Sequence, residues 1–86
     1  MFLLGTKLIR GVAENELKAD ELLKAGKANH VFLQDAPAAL ALVSLRVVCL
    51  NNDVRKAVAQ KYTATENVIG KTPAGYQIID IPTGND

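Results

Sequence analysis

The sequence predicts an α+β fold in one small domain, on three observations. Two charge-rich segments, 15–26 and 53–62, carry apolar residues at helical spacing. Two apolar runs, 30–34 and 76–81, have the length of strands and are bounded by turn residues. A chain of 86 residues holds one core and no second domain. The expected architecture spans 1–86 as a single domain. It has about three helices, a C-terminal β-hairpin and one or two further short strands.

Residues 2–10 (FLLGTKLIR) read as a strand with Gly5 at a bend. The helix over 15–26 is the clearest element. Asn15 can cap it, Gly26 stands just past its end, and Ala19, Leu22 and Leu23 form its apolar stripe. Glu14 and Lys18, and Asp20 and Lys24, are spaced i,i+4 in the favourable acid-first order. Residues 30–34 (HVFLQ) read as a short, mostly buried strand. Asp35 is placed to cap the next segment, with Pro37 in the first turn, where its missing N–H costs nothing.

Residues 38–50 pull two ways. The length of the apolar run favours a helix, whereas Val47 and Val48 favour a strand near 44–50; helix is the expectation. Asn51-Asn52-Asp53 then forms a turn with an N-cap. A helix comes next over 53–62, with Val54, Ala57, Val58 and the Lys61 stem on one stripe. Segments 66–70 and 76–81 read as hairpin arms around the turn Thr72-Pro73-Ala74-Gly75. Pro82 ends the last strand.

Composition excludes several functions. Ten basic and nine acidic side chains give a net charge of +1, spread evenly along the chain. A protein held to nucleic acid mainly by counterion release carries more basic excess, and a polybasic membrane anchor is missing. Hydrophobic residues make up 49%, too many for a disordered chain. Cys49 is the single cysteine, so no disulfide can form within the chain, which points to a reducing compartment. Phe2-Leu3-Leu4 is too short for a signal peptide, and the run from Ala38 to Leu50 is too short to span a membrane. A cytoplasmic protein, or one assembled into a virion, is expected.

Sites of chemistry are sparse. Gly70-Lys71-Thr72 matches the end of a phosphate-binding loop, but that motif needs a glycine at position 65, which is Thr65. His30 is the lone histidine. With Asp35 and Cys49 it would make a Cys–His–Asp set only if the fold brought the three together. One His and one Cys do not make a zinc site. Glu16 and Asp20 sit at i,i+4, a spacing that suits a shared cation, although their lysine neighbours read as a solvated helix face. No catalytic, cofactor or metal set is assigned, and an enzyme is not expected.

Residues 15–35, through Asn15-Glu16, Lys18-Ala19, Gly26-Lys27-Ala28 and Asp35, faintly resemble the kink-turn RNA-binding ribosomal proteins. The likeness covers about a quarter of the chain. The apolar second strand expected after that family's next helix is replaced by Val54-Arg55-Lys56, and a C-terminal hairpin has no place in its fold. The likeness therefore assigns no family.

What remains is a non-enzymatic structural or assembly protein working by protein–protein contacts or self-association. Phages and mobile elements use small chains of this kind as virion cement or connector subunits. Burial contributes about 125 kcal/mol at about 25 cal/mol/Å². Ordering the chain costs about 130 kcal/mol, so a partner or further copies would complete its stability. Phe2, Leu3, Leu4 and the strand at 76–81 are the candidate pairing edges. The alternative is a nucleic-acid-binding accessory protein using the helix 53–62, with Arg55, Lys56, Lys61 and Lys71 as contacts. A third reading is an enzyme subunit with Cys49 or His30 as its reactive group.

Overall fold

The computed structural model describes residues 8–34, 44–64 and 67–82. Its elements are β1 (Arg10–Ala13), α1 (Glu16–Lys24), β2 (His30–Leu33), β3 (Ser44–Cys49), α2 (Asn52–Lys61), β4 (Gly70–Lys71) and β5 (Gln77–Pro82). The strands form one mixed sheet in the order β1-β2-β3-β5-β4. β1 and β2 are parallel and joined through α1, whereas the β2–β3, β3–β5 and β5–β4 pairs are antiparallel. The fold is α+β.

The two helices form as their sequences dictate. The Asn15 side chain accepts from the Lys18 N–H at 3.0 Å, and that of Asn51 from the Val54 N–H at 2.9 Å. Each satisfies one of the amides that a helix start leaves without a partner. Gly26 comes after α1 with φ +72°, a left-handed conformation that glycine adopts without penalty.

Strand alternation splits the core into two layers. Ala13, Val31, Leu33, Val48 and Ile78 pack on the α1 side with Ala19 and Leu23. Phe32, Val47, Cys49, Ile79 and Ile81 pack on the α2 side with Val54, Val58 and Ala59. Leu22 is half-buried, completing the stripe expected for α1. On α2 the buried positions are Val54, Val58 and Ala59. Ala57 is half-buried and Lys61 exposed, so the stripe is rotated by part of a turn from the expected one.

Several expectations are corrected. The strand expected over 2–10 lies mostly outside the described residues; within them, the strand starts at Arg10 and runs to Ala13. The helix expected over 38–50 is a strand from Ser44 to Cys49, while 35–43, with Asp35 and Pro37, lies outside the described residues. Val47, Val48 and Cys49 are fully buried, facing opposite sides of the sheet in turn. A central strand covered on both faces has no polar alternation to announce it, and there the β-branched residues outweigh length. Among the described residues there are two helices. The arm expected over 66–70 is reduced to Gly70–Lys71, which pairs with Ile78 and Gln77.

The i,i+4 ion pairs expected on α1 are replaced by others. Lys18 pairs with Glu21 at 3.8 Å. Asp20 turns inward to 6% exposure, and its Oδ2 accepts from the Ala74 N–H at 3.1 Å, tying α1 to the turn before β5. A buried carboxylate accepting a backbone amide is a stronger anchor than an exposed lysine contact.

Candidate functional site

Sheet register places His30 and Cys49 side by side, as directly opposed residues of β2 and β3. Asp35, the third member of the set weighed from sequence, lies outside the described residues. Both side chains are buried, at 1% and 0% exposure. The His30 Nδ1 stands 2.8 Å from the Asn29 Oδ1, which also accepts from the Ile9 N–H at 3.2 Å. An amide oxygen only accepts, so Nδ1 carries the proton and Nε2 is left as a bare acceptor. Nε2 is buried without a partner.

Burial holds the His30 pKa below its ordinary 6.5, with the charges of Lys61 and Arg10 acting in the same sense. Burial also pushes the Cys49 thiol up to about 12, against a weaker opposing pull from Arg55. A buried thiol with a raised pKa is a poor nucleophile.

The other sequence candidates scatter. Lys56 is exposed, while Arg55 is half-buried and acts on Cys49. The Lys61 Nζ stands 5.5 Å from the Tyr62 ring centroid, at the far end of α2. Lys71 belongs to β4, at one edge of the sheet. Lys71 directly opposes Gln77, whose side-chain amide donates to Asn52 Oδ1 at the start of α2, so it lies on the α2 side of the sheet but at the rim. Gly70-Lys71-Thr72 runs into a turn in which the Gly75 N–H donates to the Thr72 carbonyl at 2.8 Å and the Tyr76 N–H to Thr72 Oγ1 at 3.2 Å. That turn ends in β5, whereas a phosphate loop opens a helix. Asp20, turned toward Ala74, does not join Glu16 on an outer face, and among the described residues no group of three or more ligand-type side chains could hold a metal ion.

The sheet edges differ sharply. The carbonyls of Ile9 and Ala13 accept from Asn29 and Gln34 next to β2. Strand alternation therefore turns the N–H and C=O of Arg10 and Val12 away from β2. Ile9 and Val12 are also 47% and 53% exposed. Arg10, which sequence reading did not single out, is exposed and lies 5.5 Å over the Phe32 ring. Nothing in the spacing marks it, because the contact depends on the parallel pairing of β1 and β2.

β5, a candidate edge from sequence, lies between β3 and β4. Past Ile78 its outward backbone positions are Asp80 and Pro82. Asp80 is tied to Arg46 by an ion pair of 3.0 Å, and Pro82 has no N–H to offer. An inward-held charge and an edge proline both oppose the addition of a strand. Phe2, Leu3 and Leu4 lie outside the described residues.

Beside β1 runs an open groove of about 600 Å³. Val12 and Ala13 line one side, and Lys18, Glu21 and Leu22 of α1, with Ala25 just past its end, line the other. Glu14, directly after β1, stands at one end. Lys27 stands at the Ile9 end, since its N–H donates to Leu22 and Asn29 two residues on donates to Ile9. Among the described residues no helix is long and apolar enough to cross a membrane. No protein-family model, no curated protein and no solved structure matches this chain.

Proposed function

We propose that this chain is a non-enzymatic assembly protein that works by self-association through its β1 edge. The observation that carries this reading is the asymmetry between the sheet edges. β1 presents open backbone groups at Arg10 and Val12 among exposed apolar side chains, while the outer side of β5 carries Asp80 and Pro82. An open, apolar edge is a template for another strand. The buried, high-pKa Cys49 thiol supports the absence of nucleophilic chemistry in this reading.

Molar mass by light scattering after gel filtration, at low and high salt, tests it. A discrete multiple of 9.2 kDa that persists in high salt is the expected result, because strand pairing and apolar burial are little screened. A chain that stays at 9.2 kDa but shifts in mass with added oligonucleotide, and releases it steeply as salt rises, would replace this reading with the nucleic-acid alternative.

A further inference from the structure

We infer that the occupant of the β1 edge is a second copy of this chain, docked antiparallel across a two-fold axis at Gly11. This inference rests on the assembly reading above and specifies its partner and geometry. Three independent features agree on the same register.

The first is hydrogen bonding. An antiparallel pair needs outward-facing N–H and C=O groups on residues that oppose each other. With the axis at Gly11, Arg10 opposes Val12 of the second copy, and both residues face outward. The two sheets then join as one, which removes an exposed edge from each copy.

The second is shape. Strand alternation puts Ile9, Gly11 and Ala13 on the α1 side of the sheet, where the groove lies. The same register sets Ile9 of one copy opposite Ala13 of the other. The half-exposed Ile9 side chain therefore enters the groove walled by Leu22 and Ala25. Gly11 meets its own copy at the axis, and the space over its Cα is filled by Leu22 and Ala28 of the same copy.

The third is charge. Four charged residues line the groove; Lys18 and Glu21 pair with each other at 3.8 Å, which leaves an acid, Glu14, at the Ala13 end and a base, Lys27, at the Ile9 end. An antiparallel two-fold brings the Ala13 end of one groove to the Ile9 end of the other. Each Glu14 then faces a Lys27, and the dimer forms that pairing twice. A parallel arrangement would set like charges together.

Two sets of variants test the geometry by light scattering. Val12→Pro removes an N–H that no described strand of the same copy uses, so far-UV circular dichroism should stay unchanged while the mass falls from twice 9.2 kDa to 9.2 kDa. Glu14→Lys and Lys27→Glu, both on exposed residues, should each weaken dimerisation about tenfold, since each creates two like-charge pairs per dimer. The double variant Glu14→Lys/Lys27→Glu should restore it. An oligomer that survives Val12→Pro, or a double variant that fails to recover, overturns this interface and leaves the assembly reading standing on another surface. A parent chain that remains at 9.2 kDa at every concentration overturns both.

Discussion

At the scale of single residues, three side chains carry effects that can be measured separately. Asn51 holds the start of α2 through the Val54 N–H, so Asn51→Ala should cost about 1 kcal/mol in denaturant unfolding. His30 is neutral and buried, with its pKa lowered by burial and by Lys61 and Arg10. The unfolded chain, with the ordinary value of 6.5, therefore binds the proton more readily than the folded one. Stability contributed by the neutral form is complete above pH 6.5 and is lost as pH falls toward the depressed folded value. The melting temperature should decline as pH falls below the ordinary 6.5. His30→Gln should flatten that slope, because His30 is the one histidine and carboxylates titrate lower. Cys49, with its thiol pushed up to about 12 and no exposed surface, should resist iodoacetamide at about pH 8 until denaturant is added. Labelling of the native protein would return Cys49 to consideration as a reactive group.

At the scale of elements, the contrast lies between the centre and the rim of the sheet. Val47 of β3 opposes Ile79 of β5 and is fully buried against α2. A proline there breaks the ladder in mid-sheet and disrupts packing, so Val47→Pro should destabilise by at least about 3 kcal/mol and leave no cooperative melt. The same substitution at Val12 should leave the fold standing. Gly75 supplies the other element-scale constraint. It closes the turn before β5 at φ +93°, with nothing near a would-be Cβ, so Gly75→Ala should cost about 1 kcal/mol from backbone conformation and none from crowding.

The helices were legible because their signals are local. Asn caps, the Gly26 stop and the 3.6-residue spacing of Ala19, Leu22 and Leu23 need no information from the rest of the chain. β3 was not legible as a strand, because its Val47–Cys49 half is covered by α2 on one side and by the α1 layer on the other. Burial on both faces erases the period of two that marks a half-exposed strand, leaving an apolar run that also suits a buried helix. β1 was misplaced for a related reason. Arg-Gly-Val-Ala has weak strand propensity, and its conformation comes from parallel pairing with His30–Leu33.

At the scale of the molecule, the proposed site is an edge, and an edge exists only once strands are ordered. The sequence marked the chain as a candidate for self-association and pointed to Phe2, Leu3 and Leu4, which lie outside the described residues, and to 76–81 as pairing edges. The sheet order puts that segment between β3 and β4 and brings 10–13 to the rim. Likewise, Arg55, Lys56, Lys61 and Lys71 look like a basic group when read in line. The fold sends Arg55 inward beside Cys49, Lys61 to the Tyr62 end of α2 and Lys71 to the opposite edge. An interface built on β1 should therefore be insensitive to salt at the level of strand pairing. Its ionic component should come from the charged groove residues, Glu14 and Lys27 beside the Lys18–Glu21 pair, which dimer dissociation at about 0.05 M and about 1 M salt would separate.

Residue type and short-range spacing were enough to give the α+β class, both described helices with their caps and the strand at 30–33. The assembled fold was needed to make 44–49 the central strand, Asp20 an anchor, His30 and Cys49 neighbours, and β1 the open edge. These depend on pairing between residues far apart in the chain, whose free energy comes from burial that only the completed sheet provides.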